Sequence, residues 1–334
     1  MAPEEGRAGK LRLDFNENTV GCSPAVLRAL RGVTSEQLAI YPEYEAASRR
    51  LARHFRVRPA EMLFTNGVDD ALRLLMETFV EPGDTVLVAE PTFSMYRFFS
   101  EVAGARVLAV RYDDAMVFPL DATLRALARS PRLLLLANPN NPTGTLLGHA
   151  ALRRILDAAP RTLVLVDEAY FEFSGLTVLP WIRRRPNLVV ARTFSKAAAL
   201  AAVRLGVLFA REDLAGAMRR AFTPYPVNTL ALVAAEAALK DQKFLRGYVR
   251  QVRDSRKQLA RGLERLGARV FPSAANFLLA DFGPGAGKLA RRLARRGILL
   301  RDRRDDFGRD GFLRITAGTP GQTRRLLRAM EEER

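Results

Sequence analysis

The sequence predicts an α/β protein with a mostly parallel central sheet, helices on both faces of that sheet, and a smaller α+β domain. Three observations support this fold class. Short apolar runs alternate with helical segments from about residue 60 to 210, most of these runs are continuous, and the pattern changes after about residue 225. A continuous apolar run is typical of a strand buried on both faces. The length of 334 residues suits two domains.

Seven apolar runs, most of about five residues, predict the strands of the central sheet. They cover residues 62–65, 85–89, 106–110, 133–137, 162–166, 188–191 and 205–210. Segments with helical spacing lie between several of them, for example at 69–80 and 121–128. In such sheets a ligand binds beyond the carboxyl ends of the strands. The loops of this sequence that carry the candidate binding residues follow these predicted strands.

The order of elements after residue 227 predicts a second domain. One or two long charged helices cover 228–266, strands follow at 276–281, 298–301 and 312–316, and helices are expected at 286–296 and from 321. The first forty residues show no strand alternation of their own. We therefore expect an arm with part of the small domain at 1–36, a large domain at 37–227 and a small domain at 228–334.

Composition predicts a soluble cytoplasmic protein without a metal centre. Hydrophobic residues make up 48% and charged residues 27% of the chain, which excludes wholesale disorder. Cys22 is the single cysteine and there are two histidines, so neither a disulfide framework nor a Cys/His metal site is expected. The amino terminus has no apolar signal region. The apolar runs are far shorter than the roughly 20 residues that span a membrane.

The formal net charge of +17 suggests a nucleic-acid partner, but the residue pattern argues against one. Arginine clusters at 183–185, 291–296 and 301–304 lack interleaved aromatic residues. The first two lie on or beside predicted helices, where a solvated face accounts for them. Only six of the 53 basic residues are lysines. We expect small-molecule substrates and no nucleic acid.

The segment Thr193-Phe194-Ser195-Lys196 is the most informative motif for chemistry. It follows a predicted strand and precedes a run of small residues that permits close packing. A lysine in that setting is partly desolvated, which lowers the pKa of its amine. A neutral amine can form a Schiff base with an aldehyde cofactor. Thr193, Ser195 and Arg204 are candidates to bind a phosphate beside it.

Other loops at the predicted strand ends carry residues suited to the same kind of cofactor. Asp167 is a carboxylate that requires a cationic partner, and a protonated pyridine nitrogen would serve. Asn141 lies in loop 138–144, which two prolines make rigid. Gly67 begins a predicted helix, where free N–H groups favour a phosphate. Phe93 offers a ring that can stack on a planar cofactor.

Together these motifs give the chain a resemblance to the fold-type-I pyridoxal-phosphate-dependent aminotransferases, and within them to the histidinol-phosphate aminotransferase family. The match runs from Asn16-Glu17-Asn18 to Leu313-Arg314-Ile315-Thr316, with the lysine tetrad, Asn-Pro-Thr-Gly and Asp-Glu-Ala-Tyr in the family's order and spacing. The resemblance implies pyridoxal 5'-phosphate as cofactor and 2-oxoglutarate as amino acceptor. It also implies a homodimer with a shared active site.

The resemblance implies a role for each matching residue. Lys196 forms the Schiff base and moves the proton, Asp167 pairs with the pyridinium nitrogen, and these two with Tyr170 form the catalytic set. Tyr170 and Asn141 hydrogen-bond the phenolic oxygen, and Phe93 stacks on the ring. The other cofactor-binding residues are Gly67, Val68, Asp69, Thr193, Ser195, Arg204 and Tyr41 of the partner subunit.

Two arginines indicate a phosphorylated substrate. Arg314 resembles the arginine that binds the substrate carboxylate in the superfamily and the substrate phosphate in the histidinol-phosphate family, where a planar fork suits bidentate binding. Arg301 lies where the family carries a second arginine. Two guanidiniums that face one dianion favour a phosphate monoester. Asn18 and Asn141 complete the implied substrate-binding set.

Departures from the family pattern leave other activities open. Thr19 stands where proline usually follows Asn-Glu-Asn, and Ala202-Val203 replaces Gly-Leu before Arg204. The sequence also fits an aromatic or broad-specificity amino acid aminotransferase, or a threonine-phosphate decarboxylase on the same scaffold. A basic binding protein on a degenerate scaffold would have lost Lys196 or Asp167, and both are present.

Overall fold

The computed structural model describes residues 6–333, so the first five residues of the expected arm lie outside it. The expected arm contains β1 (Leu11–Arg12) and α1 (Pro24–Arg31), α2 (Ser35–Ala39) extends past its expected end at residue 36, and α3 (Tyr44–Phe55) follows. The backbone N–H of Leu11 donates to the carbonyl of Gly297 at 2.8 Å, and that of Leu13 donates to the carbonyl of Leu299 at 2.9 Å. The start of the chain is thereby joined to a segment near its end.

A seven-stranded sheet forms the centre of the molecule and contains the strands expected between residues 60 and 210. They are β2 (Met62–Thr65), β3 (Thr85–Glu90), β4 (Arg106–Arg111), β5 (Leu133–Ala137), β6 (Leu163–Asp167), β7 (Leu188–Thr193) and β8 (Gly206–Ala210). Their spatial order is β2-β8-β7-β6-β5-β3-β4. Neighbours run parallel, except that β8 runs antiparallel to β2 and β7. The prediction of a mostly parallel sheet is confirmed.

Helices cover both faces of this sheet because successive side chains of a buried strand point to opposite faces. These helices are α4 (Gly67–Phe79), α5 (Ser94–Val102), α6 (Leu120–Leu127), α7 (His149–Asp157) and α9 (Glu212–Arg220), whereas the short α8 (Phe171–Ser174) packs its Phe173 against Tyr248 and Phe277. Leu134 packs into one core with Ile155 of α7. Its neighbour Leu135 packs into the other core with Leu75 of α4.

The rest of the described chain builds a smaller layered unit. Helix α10 (Thr229–Lys240) leads into this unit, whose elements are α11 (Gln242–Arg265), β9 (Arg269–Val270), β10 (Phe277–Asp281), α12 (Ala286–Arg295), β11 (Ile298–Leu299), β12 (Arg301–Asp302), α13 (Arg304–Phe307), β13 (Phe312–Thr316) and α14 (Pro320–Glu332). Strands β12, β13, β10 and β9 form an antiparallel sheet in that order. Leu263, Leu293 and Leu326 pack against it in one core with Ile315.

Two details of this unit differ from the sequence predictions. Helix α10 packs its alanines into the core of the central sheet, so the chain leaves that core near Asp241 rather than at residue 228. The single strand expected at 298–301 is wrong in extent, because β11 pairs in parallel with β1 whereas β12 pairs with β13. The chain changes sheet at Leu300, which one continuous apolar run does not reveal. Within residues 6–333 no helix has both the length and the apolarity to cross a membrane.

Candidate active site

A cavity of about 380 Å³ lies at the carboxyl ends of the central strands, where the small unit and the arm close its other side. Most of the residues expected from the sequence line it. They are Val68, Asp69, Phe93, Asn141, Asp167, Tyr170, Thr193, Ser195, Lys196, Arg204, Arg301 and Arg314. The parallel sheet brings these distant loops together because the carboxyl ends of parallel strands share one edge.

Lys196 follows β7, and its side chain projects into this cavity. Its Nζ donates a hydrogen bond to the carbonyl of Phe15 at 3.0 Å and lies 6.0 Å from the centre of the Tyr170 ring. Burial, followed by the positive charge of Arg314, lowers the pKa of the Lys196 amine to about 8. This amine therefore gives up its proton more readily than an exposed lysine does.

Asp167 ends β6, and two donors hold its buried carboxylate. The hydroxyl of Tyr96 donates to Oδ2 at 2.9 Å, and the backbone N–H of Ala169 donates to Oδ1 at 3.0 Å. Burial raises the pKa of Asp167 to about 6, and the Tyr96 hydrogen bond opposes that rise. Tyr96 was not identified from the sequence, although it follows Phe93 by three residues at the start of α5.

The neighbouring Glu168 has a structural role on the other side of the strand. Its Oε2 lies 2.9 Å from a guanidinium nitrogen of Arg192, and both side chains are buried. It also accepts hydrogen bonds from the Thr177 hydroxyl at 2.8 Å and the Val178 backbone N–H at 2.7 Å. Adjacent strand residues face opposite ways. The Asp-Glu pair thus contributes one acid to the cavity and one to the core.

The amino terminus of α4 forms one end of the cavity. Asn66 precedes the helix without a side-chain capping bond, so the first N–H groups of α4 have no side-chain acceptor there. A guanidinium nitrogen of Arg204 lies 3.3 Å from Oδ2 of Asp69. Gly67 does not line the cavity, but a Cβ at that position would lie 2.5 Å from the Arg204 guanidinium. The glycine allows Arg204 to approach the helix start.

Asn16, which the sequence analysis assigned no role, orients Tyr170. Its Nδ2 donates to the Tyr170 hydroxyl at 2.9 Å, so the phenolic hydrogen remains available for another acceptor. Asn16 adopts a positive φ of 56°. Its own backbone N–H donates to Thr316 Oγ1 at 3.0 Å, and its carbonyl accepts from Asn276 Nδ2 at 2.9 Å. Both partners lie in the small unit, which explains why local sequence patterns did not reveal this residue.

Arginines form the opposite end of the cavity. The register of β12 and β13 places Arg301 directly opposite Arg314, and Arg303 also lines the cavity. Arg314 donates to Asn141 Oδ1 at 2.6 Å and to the carbonyl of Asp14. Burial, followed by the charge of Arg303, lowers the pKa of Arg314 to about 9. Arg303 was not expected, although its spacing of two from Arg301 was a usable signal.

Two further predicted residues lie outside the cavity. Asn18 is buried, its Nδ2 donates to the carbonyl of Ala197 at 3.1 Å, and its Oδ1 accepts from the backbone N–H of Val20 at 2.9 Å. These hydrogen bonds connect the arm to the loop that follows Lys196. Asn18 does not line the cavity. Tyr41 is 73% exposed and stacks on Tyr225 with 4.3 Å between ring centres.

The cavity thus combines groups with complementary chemistry. It holds an amine with a lowered pKa, a buried carboxylate, an aromatic ring, an uncapped helix start and a cluster of guanidiniums. The amine can act as nucleophile or base, and the helix start can bind an anion. The guanidiniums can bind a second anion at the far end.

Comparison with known proteins agrees with this geometry. The family model described as aminotransferase class I and II matches residues 8–330. The histidinol-phosphate aminotransferase of Symbiobacterium thermophilum is 40% identical over 98% of this chain and 91% of its own length. A crystal structure of histidinol-phosphate aminotransferase from Sinorhizobium meliloti in complex with pyridoxal-5'-phosphate superposes with a TM-score of 0.88 at 28% identity, over 96% of this chain and 90% of that one. L-threonine-O-3-phosphate decarboxylase from Porphyromonas gingivalis superposes with a TM-score of 0.86 at 26% identity, over 97% and 99%.

Proposed function

The chain belongs to the class I and II aminotransferase family, and we propose that it transfers the amino group of histidinol phosphate to 2-oxoglutarate in histidine biosynthesis, with pyridoxal 5'-phosphate as cofactor. The observation that carries the choice of substrate is the cluster of three arginines, 301, 303 and 314, at one end of the cavity. Guanidiniums bind phosphate through paired N–H donors. The proposed products are imidazole-acetol phosphate and glutamate.

The residues present fit this cofactor. Within residues 6–333, Asp167 is buried and forms no ion pair, so it lacks the cation that a protonated pyridine nitrogen would supply. The uncapped start of α4, with Thr193, Ser195 and Arg204 nearby, suits the cofactor phosphate. Phe93 also lines the cavity, and its ring is suited to contact a planar cofactor.

In the proposed mechanism each side chain has a defined task. When bound, pyridoxal phosphate would act as an electron sink for charge that develops at the substrate Cα. Lys196 Nζ would hold the aldehyde end and, once released, move the Cα proton, for which its lowered pKa is suited. Asp167 would keep the pyridine nitrogen protonated. Tyr170 would donate its free hydrogen to the phenolic oxygen, with Asn141 beside it.

We propose that the enzyme is a homodimer whose active sites share Tyr41 of the partner subunit. Support comes from an exposed apolar surface around this residue, with Leu38 61%, Ile40 51%, Tyr41 73% and Tyr225 49% exposed. Side chains of this size are usually covered when they cluster. The same proposal locates the enzyme in the cytoplasm, together with its small-molecule substrates.

One substrate panel tests the proposal. Purified enzyme with cofactor is mixed separately with histidinol phosphate, phenylalanine or threonine phosphate, and the cofactor spectrum and carbon dioxide release are recorded. The proposal requires the fastest half-reaction with histidinol phosphate and no carbon dioxide. Carbon dioxide release from threonine phosphate would instead favour decarboxylation, which the arginine cluster and the Porphyromonas neighbour keep as the second candidate. Preference for phenylalanine would reject a phosphate site.

A further inference from the structure

Arg303 is the third arginine of the cluster at one end of the cavity, and its environment differs from those of Arg301 and Arg314. Its side chain is only 11% exposed, and its Nε contacts the carboxylate of Asp306, which is 19% exposed. Asp306 lies on α13, three residues further along the chain. Arg303 is therefore held by a carboxylate whose charge also reaches Arg314, where it raises the pKa that burial and Arg303 lower.

Strand geometry explains why Arg303 joins the other two arginines. Arg301 pairs with Arg314 across β12 and β13, and the backbone N–H of Arg303 donates to the carbonyl of Phe312 at 2.9 Å. Residues two apart on an extended segment point to the same side. We call Arg301, Arg303 and Arg314 the arginine wall. Arg304, the next residue, instead forms a partly exposed ion pair with Asp302.

The wall is electrostatically crowded. After burial, the charge of Arg303 is the largest influence that lowers the pKa of Arg314, ahead of that of Arg301. The pKa of Arg303 is itself lowered by burial, and Arg301 adds to this effect. An anion between these cations relieves their repulsion. Because Coulomb energy is proportional to ligand charge, a dianion gains about twice as much from Arg303 as a monoanion does.

We propose that Arg303, positioned by Asp306, is a specificity-determining residue that makes the arginine wall prefer a phosphate monoester dianion to a carboxylate. This inference rests on the proposed function, because it concerns the same cavity and its phosphorylated substrate. A phosphate monoester carries a charge of about −1.5 to −2 near pH 7, whereas a carboxylate carries −1. Arg314 would bind both classes of anion, and Arg303 would contribute the additional binding energy that favours the phosphate.

The test compares Arg303→Gln with the wild-type holoenzyme in the two half-reactions. Loss of a charged hydrogen bond predicts a fall of about 10- to 100-fold in kcat/KM for histidinol phosphate, mainly through KM. Only one carboxylate of 2-oxoglutarate would contact the wall, and its charge of −1 halves the Coulomb energy there, which predicts a fall of only about 3- to 10-fold, the square root of that factor. Arg303→Lys, which keeps the charge, should recover part of the loss. Arg309→Gln is the matched control, because Arg309 is 53% exposed and pairs with Asp281.

Two results would overturn the proposal: equal losses for both substrates in Arg303→Gln, or losses below threefold for histidinol phosphate. If that variant does not fold, Arg303→Met takes its place and must impair the phosphate substrate more than 2-oxoglutarate, whereas Arg303→Lys, which keeps the charge, must retain more of the preference for phosphate. Wild-type enzyme that ignores histidinol phosphate but uses threonine phosphate would reject the proposed function, and the Arg303 comparison would then be made with threonine phosphate against phenylalanine. Wild-type enzyme that uses no phosphorylated amine would reject both.

Discussion

Replacement of Tyr96 by phenylalanine should raise the pKa of Asp167, because it removes the hydroxyl that stabilises the ionised carboxylate. The hydroxyl donates to Oδ2 at 2.9 Å, and both residues are buried. A hydrogen bond to a charged group contributes about 1.5–3 kcal/mol. At about 1.4 kcal/mol per pKa unit, the loss corresponds to about one to two units. The midpoint should therefore move from about 6 to between about 7 and 8.

The same shift makes a prediction about stability. The pKa of Asp167 in the folded protein lies above its ordinary value, so ionisation of this group costs stability as the pH rises through that interval. In Tyr96→Phe the pH interval over which ionisation of Asp167 costs stability extends to higher pH, because the pKa of Asp167 in the folded protein is higher. The variant should unfold with nearly the wild-type free energy at pH 5, and with a deficit of about 1.3–2.3 kcal/mol at pH 8, where its Asp167 is still partly protonated.

Carbon-13 NMR of the cofactor-free protein measures the midpoint directly, with Asp167→Asn to assign the resonance, and denaturant unfolding at pH 5 and 8 measures the deficit. Tyr44→Phe is the control, because the Tyr44 hydroxyl donates to the carbonyl of Val227 at 2.6 Å and serves no carboxylate. An unchanged Asp167 midpoint in Tyr96→Phe, or a deficit of equal size at both pH values, would refute the reasoning.

Three shorter predictions concern other parts of the structure. In the cofactor-free protein, carbamylation of Lys196 followed by peptide mass spectrometry should show a midpoint near pH 8, and a midpoint near 10 would contradict its desolvation. Glu168→Gln leaves the buried Arg192 without its anion and should cost about 3–5 kcal/mol of unfolding free energy, measured by denaturant titration. Gly206→Ala places a Cβ 2.7 Å from the backbone of Gly67 and should lower Tm, whereas Gly247→Ala, with no atom within 4 Å, should not.

The sequence supported reliable predictions where physical signals are local. Apolar runs identified the seven central strands, and the pattern is clearest in inner strands such as β5 and β6, which are buried on both faces. Loops at the strand ends brought Asp167 and Lys196 into one cavity for the same reason. The strand change at Leu300 was missed, because pairing with β1 and then with β13 depends on segments far away in the chain.

The residues that orient the site were harder to predict than those that carry its chemistry. Tyr96 and Asn16 act through single hydrogen bonds to Asp167 and Tyr170, and the partners are 71 and 154 positions away. A tyrosine on a helix or an asparagine in an arm can have many roles, so the residue type alone does not predict which of them it has. Only the folded chain shows which distant oxygen each one contacts.

Arginine and lysine have different roles among the cationic side chains of this site. Guanidiniums stay protonated and can hold anions at both ends of the cavity, whereas one desolvated amine can release its proton. Arg314 and Arg204 both lower the pKa of Lys196, after burial. The residues suited to bind anions therefore also adjust the base. Arg314→Gln should weaken anion binding and also raise the pKa of Lys196 above about 8, measured by its carbamylation midpoint. An unchanged midpoint would show that Arg314 binds the anion without adjusting the base.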